Sequence, residues 1–235
     1  MLKIEHFTKK YGDKAAVDDL SLHIQPGEIY GFIGHNGAGK TTTLKAVAGI
    51  MNFDEGEITI NGHSVVNEPL ECKKVTAYIP DNPDLYEFMT GIQYLNFIAD
   101  IFGVSSDTRA DRIREYSQLF DLERSLANPI SSYSHGMKQK VAIISALIHR
   151  PKLLVLDEPF VGLDPKASFT LKEIMHEMCQ EGTAIFFSTH VLEVAEKLCN
   201  KVAIIKQGRI IASGTMEELT RGHSLEETFL QKDLG

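Results

Sequence analysis

The run Gly34-His35-Asn36-Gly37-Ala38-Gly39-Lys40-Thr41-Thr42 lies between a strand-like stretch, Glu28 to Ile33, and a helix-like one, Thr42 to Ala48. No other feature restricts the fold as tightly. The spacing G-x-x-x-x-G-K-[ST] has a mechanical reason: the glycines let backbone N–H groups converge on phosphate oxygens, Lys40 reaches the β and γ phosphates, and Thr41 offers a hydroxyl to Mg²⁺. Every residue from Gly34 to Thr42 is therefore a candidate nucleotide contact. The plain alternative is a Gly-rich turn that merely opens a helix, and the flanking strand and helix argue against it. The chain is expected to bind a nucleoside triphosphate.

At 235 residues the chain can bury one substantial core, or one core plus a small subdomain. Its 24 Lys+Arg against 32 Asp+Glu give a formal net charge of −8. The basic residues are scattered rather than clustered, so a nucleic-acid partner is not expected. Cys72, Cys179 and Cys199 are far apart and lack C-x-x-C spacing, which reads as a reducing compartment and ordinary thiols. The N-terminus has no apolar leader, and the longest apolar run, Val141 to Ile148 with one serine, falls far short of the ~20 residues of a membrane span. The expectation is a soluble chain.

Three stretches organise the sequence. Up to about residue 80, short β-type runs (Leu2 to Phe7, Ala15 to Ile24, Ile29 to Ile33, Ile58 to Ile60, Val75 to Ile79) are punctuated by Gly12, Pro26-Gly27, Gly56 and Asn61-Gly62. Between about 90 and 150, apolar residues recur at helical spacing: Ile92, Leu95, Phe97, Ile98 and Ile101, then Ile113, Tyr116, Leu119 and Phe120. From about 152 to 213, apolar strands alternate with helices, the pattern of a mostly parallel sheet covered on both faces. The helical block reads as an insertion.

The strand Lys152-Leu153-Leu154-Val155-Leu156-Asp157-Glu158 delivers two adjacent carboxylates at its end, where open α/β sheets place their ligands. Asp157 suits a Mg²⁺ shell, and Glu158 suits a base or water-positioner. Upstream stands Ser134-His135-Gly136-Met137-Lys138-Gln139, a Ser/Gly helix start; downstream come Gly162-Leu163-Asp164 and Ser188-Thr189-His190. In this order and spacing the set resembles the nucleotide-binding subunit of an ATP-binding-cassette (ABC) transporter, from Tyr11 to the closing Leu225-Glu226-Glu227-Thr228-Phe229-Leu230. The implied fold is an α/β P-loop NTPase cassette: a mostly parallel core sheet, an N-terminal antiparallel β subdomain and an inserted α-helical subdomain. Residues 1–235 would form a single ABC ATPase domain, with the helical signature subdomain at about 90–150 and a short C-terminal helical tail at about 215–235.

The resemblance also implies roles. Tyr11 matches the aromatic that stacks on adenine, since a flat ring suits a purine. Ser134 and Gly136 match the signature sequence, which grips the γ-phosphate of ATP held by another subunit, and Asp164 matches the loop crossing that interface. His190 matches the switch histidine at the γ-phosphate, beside Lys40 and Glu158 as the catalytic set. ATP and Mg²⁺ are the implied cofactors. The implied partners are a second ATP-binding subunit, identical or related, and a membrane-embedded transporter subunit, which places the chain at the cytoplasmic face of the cell membrane. The Asp81 to Tyr94 surface is the expected dock for the membrane subunit.

Two positions depart from the family pattern. His135 stands where the signature usually has a glycine. Asp81, in Tyr78-Ile79-Pro80-Asp81-Asn82, stands where the family usually has a glutamine linking the Mg²⁺ shell to the membrane partner. Asp81 binding the ion and Asn82 supplying the amide are both open, as is a rigid turn touching no metal. His23 and His35 read as solvated or structural. Import is disfavoured because the chain stops at Gly235 without the regulatory domain importers often carry. The signature wording resembles bacterial exporters, including those of antimicrobial or amphipathic peptides. Competing readings are a cytosolic ABC-type ATPase without a membrane partner and a small-molecule P-loop kinase.

Overall fold

Strand β1 (Leu2–Tyr11) buries Leu2, Ile4 and Phe7 while Lys3, Glu5 and His6 face outward or lie at the rim, the alternation of a half-buried strand interrupted by a register shift between Ile4 and Phe7. The computed structural model describes residues 1–234, with side chains through residue 231; Gly235, the end of the expected tail, lies outside the described residues. After β1 come β2 (Lys14–Ile24), β3 (Ile29–Ile33), α1 (Lys40–Val47), β4 (Glu55–Ile60), β5 (His63–Ser64), α2 (Pro69–Val75) and β6 (Thr76–Ile79). The middle of the chain holds α3 (Gly91–Ile101), α4 (Ser106–Leu119) and α5 (His135–Leu147). It continues through β7 (Leu153–Asp157), α6 (Pro165–Gln180), β8 (Ala184–Thr189), α7 (Leu192–Leu198), β9 (Lys201–Lys206), β10 (Arg209–Thr215), α8 (Met216–Thr220) and α9 (Leu225–Leu234).

Packing separates two units. Met1–Tyr78, Lys152–Pro159 and the chain from Met175 onward form the first; Ile79–Pro151 and Phe160–Ile174 form the second. In the first unit a six-stranded sheet has the order β10-β9-β3-β8-β7-β6, with β3 parallel to β8 and β9, β7 parallel to β8, and β10 an antiparallel edge. A four-stranded antiparallel sheet, β2-β1-β4-β5, shares a core with it. Phe7, Leu20 and Ile58 of the small sheet, Leu44 and Val47 of α1, and Phe32, Phe186 and Ile205 of the large sheet are in one buried cluster. At roughly 1.5–3 kcal/mol for each large apolar side chain buried, this cluster fixes the strand ends that carry the phosphate loop.

In the second unit α3, α4 and α5 pack on one another. Each begins at a hydroxyl cap: Thr90 in a capping box with Gln93, Ser105 on Thr108 N–H, and Ser134 on Met137 N–H. Such caps contribute about 1 kcal/mol apiece. From Val141 to Leu147 every residue of α5 is buried, which anchors the helix and leaves its first turn exposed or half-buried. Among the described residues no helix is long and apolar enough to cross a membrane.

Candidate active site

β3 runs into the loop 34–39 and then directly into α1, and glycines stand where a side chain has no room. A Cβ on Gly34 would lie 2.5 Å from the Ile205 carbonyl oxygen, and one on Gly39 would lie 2.7 Å from that of Ala16. Gly39 also holds φ +112°, a conformation L side chains rarely adopt. It occupies the N-cap of α1, where no side chain caps the helix and no acidic residue stands in the first turn. The first N–H groups and the positive end of the helix dipole are thus turned to an incoming anion. Thr43 is buried and donates to the Gly39 carbonyl, bracing the loop, while Thr41 and Thr42 are half-buried at the mouth.

Lys40 is nearly buried. Its Nζ donates to the Gly34 carbonyl at 2.5 Å and the His35 carbonyl at 3.2 Å, and lies 3.8 Å from Glu158 Oε1. Burial pulls its pKa below the usual lysine value, against the opposing pull of Glu158 and Asp157. Glu158 sits just past β7 at φ +47°, an uncommon backbone for a residue with a side chain. Its N–H bonds to the Ser188 carbonyl and hydroxyl, and its Oε1 lies 2.9 Å from His190 Nδ1. The sheet register brings this about, since β7 and β8 are parallel neighbours with Asp157 opposite Ser188. Lys40, Glu158 and His190 therefore converge at the carboxyl ends of β3, β7 and β8.

Asp157 is buried, and Ser188 Oγ donates to its Oδ1 at 2.5 Å. Its Oδ2 is also buried but has no hydrogen-bond partner. A lone carboxylate oxygen of this kind suits a small hard cation. Among the described residues no group of three or more His, Cys, Asp and Glu could hold a metal.

Beside the loop lies a cavity of about 460 Å³ lined by Tyr11, Lys14, Ala15, Ala16, Gly37 and Gln207. Tyr11 is 55 % exposed; its hydroxyl lies 2.9 Å from Met51 Sδ, and the Lys9 ammonium is 5.4 Å from its ring centre. Lys14 and Gln207 were not singled out from sequence. Gln207 is distant in the chain and is brought here by the β9–β10 turn, whose Gly208 N–H bonds the Ala38 carbonyl. Of the loop residues, His35 and Asn36 are exposed and Ala38 is buried, and the His35 ring meets Phe229 edge-on at 5.1 Å.

In the second unit exposed Ser134 caps α5, and half-buried Gly136 in its first turn lies near the loop before α6. Asp164 caps α6 through Ala167 N–H and pairs with Lys140 at 2.7 Å. The Lys140 bond, then the Ala167 N–H, hold its carboxyl below the usual carboxylate range. Asp81 is exposed, and its Oδ1 accepts from Asn82 N–H in a local turn.

The model of the ABC transporter family matches residues 17–161. EcsA of Bacillus subtilis (strain 168), an ABC-type transporter ATP-binding protein, is 35 % identical over 98 % of this chain and 93 % of its own length. LnrL of the same organism, the linearmycin resistance ATP-binding protein, is 33 % identical over 93 % of this chain and 70 % of its own. A solved ATP-binding subunit of an ABC transporter superposes with a TM-score of 0.95 at 36 % identity, covering 99 % of both chains. The fold is the P-loop NTPase cassette the sequence implied. The chain belongs to the ABC transporter family, as one of its ATP-binding, ATP-hydrolysing subunits, which pair with membrane subunits.

Proposed function

We propose that the chain powers export through a separate membrane subunit. Two copies, or one copy and a close relative, would sandwich two Mg-ATP, with dimer closure as the power stroke and hydrolysis as the reset. The observation that carries this reading is the Glu158 carboxylate, fixed 2.9 Å from His190 and 3.8 Å from Lys40 at the mouth of the phosphate loop. In this reading Glu158 orients or deprotonates the attacking water. Lys40 leaves its loop carbonyls for the β and γ phosphates, and His190 turns its ring to the γ-phosphoryl oxygens. Residues Gly34 to Thr42 cradle the phosphates, and Tyr11 offers its ring to adenine. Thr41 and Asp157 would hold Mg²⁺, which when bound offsets charge on the phosphate oxygens. Asp81 remains a candidate for that shell.

Across the dimer, Ser134 and Gly136 would grip the partner's γ-phosphate while Asp164 crosses the interface. The whole of residues 1–235 is read as a single ABC ATPase domain, with a helical subdomain at about 90–150 and a helical tail at about 215–235. Export is favoured by the signature wording and by the likeness to a linearmycin resistance protein. The surface for the membrane subunit is the aromatic group at Tyr86 and Phe88; Phe88 is 81 % exposed, and the Tyr86 ring lies 5.7 Å from Phe97 and 6.1 Å from Tyr94. The chain would sit peripherally at the cytoplasmic face of the membrane.

The test is a tagged chain purified from detergent-solubilised membranes. An integral membrane subunit should co-purify, raise ATPase turnover, and lose its hold on a Tyr86→Ala/Phe88→Ala variant. ATPase activity with no membrane subunit bound, at any detergent, would favour the cytosolic alternative.

A further inference from the structure

A Cβ built on Gly162 would lie 2.5 Å from His135 Cδ2 and 2.9 Å from its Nε2. The imidazole of His135, at the first residue of α5, thus occupies the space above Gly162 that any other residue would fill. Gly162 holds φ +79°, so its backbone also favours glycine. One residue along, a Cβ on Gly136 would come 2.7 Å from the Gly162 carbonyl oxygen. One helical turn further, Lys140 Nζ reaches Asp164 Oδ2 at 2.7 Å. Three consecutive ties join the first turns of α5 to the loop 161–164: a ring on a bare Cα, backbone against backbone, and an ion pair. All three lie within the second unit.

The ring contact supplies what the ion pair cannot. Lys140 holds Asp164 by a long, flexible side chain with a half-exposed partner, a weak constraint on position. His135 is itself exposed, but its flat ring packed over the bare Gly162 Cα resists displacement, because closer approach clashes and separation forfeits dispersion. From this packing we infer that His135 is a positioning residue that locks the loop 161–164 to the start of α5, so that Ser134 and Asp164 are presented as one rigid piece. A glycine at residue 135 would leave Gly162 uncovered, and the loop held only by the backbone approach at Gly136 and the Lys140 ion pair. The inference rests on the composite-site reading for its consequence, although the lock itself is a property of one chain.

The experiment uses the full chain with Glu158→Gln as parent, and compares His135→Gly and His135→Phe. Hydrogen–deuterium exchange of the peptide spanning 160–168 in the nucleotide-free monomer reads the lock directly. His135→Gly should speed exchange there, and His135→Phe, which restores a flat ring, should return it toward the parent rate. In size-exclusion chromatography His135→Gly should need about tenfold more ATP for half-maximal dimerisation, with monomer affinity for a fluorescent ATP analogue and melting temperature unchanged. His135→Phe should recover most of that loss. Parent-like exchange at 160–168 in His135→Gly would overturn the lock, as would parent-like dimerisation in that variant. A parent that does not dimerise with ATP would instead sink the composite-site reading, and the exchange data would still decide the role of His135.

Discussion

Glu158 Oε1 and His190 Nδ1 lie 2.9 Å apart although 32 residues separate them in the chain. The two side chains differ in exposure: Glu158 is 15 % accessible and His190 52 %. A carboxylate held from one side by an exposed ring and from the other by Lys40 has a fixed position and a partner free to swing away. This is the arrangement expected of a base whose neighbour must turn to a phosphate when nucleotide arrives.

His190→Ala should therefore lower ATP turnover by about 100-fold or more while leaving ATP affinity of the monomer nearly unchanged. Steady-state ATPase kinetics beside equilibrium nucleotide binding separate the two effects. Turnover within a few-fold of wild type would remove His190 from the catalytic set.

Lys40→Ala should abolish ATP binding to the monomer, because the phosphate loop loses its one buried ammonium. Ser134→Ala should leave monomer binding intact and impair only dimerisation and hydrolysis, apart from a modest loss of helix cap on α5. Calorimetric titration of both variants checks this, and equal damage to monomer binding would contradict a role for Ser134 across the interface.

How much of this was legible in the chain depended on the range of each signal. The phosphate loop, the buried strands β3, β7 and β8, and the helical block were readable because their patterns are local: a fixed glycine spacing, continuous apolar runs, a 3.6-residue repeat. Helix α2 was missed because only Cys72 of its residues is buried, so no apolar face marks it. Strand β10 was missed as a half-exposed edge without clean alternation. The lining of the cavity by Gln207, the bond from Ser188 to Asp157, and the seat of His135 on Gly162 are products of tertiary register. No spacing in the sequence announces them.

Asp157 Oδ2 is buried and has no hydrogen-bond partner, so Asp157→Asn should raise the Mg²⁺ concentration for half-maximal ATPase by about tenfold or more. If Asp81 also faces the ion, Asp81→Ala should raise it too, and Asp81→Gln should preserve much of the response. Mg²⁺ titrations of the three variants decide both points; an unchanged curve for Asp157→Asn would contradict its assignment.

The Asp164–Lys140 pair gives a pH dependence of known sign. Because the folded state holds the Asp164 carboxyl below its usual range, its contribution to stability is complete above the ordinary Asp value of about 3.9 and is lost as pH falls through the depressed native value. Lys140→Met should melt slightly below wild type at neutral pH, and the gap should close in acid. Thermal unfolding across pH tests this, and a gap that persists unchanged at the acid end would show that the loss is one of packing.

The central claim is that Glu158 activates the hydrolytic water in a dimer closed on ATP. Glu158→Gln keeps the shape of the side chain but cannot accept a proton. Size-exclusion chromatography of Glu158→Gln with and without Mg-ATP, run beside an ATPase assay, is the most direct measurement. The account predicts a stable ATP-dependent dimer with turnover reduced by about 100-fold or more. A protein that stays monomeric with ATP, or hydrolyses it at a near-normal rate, would contradict it.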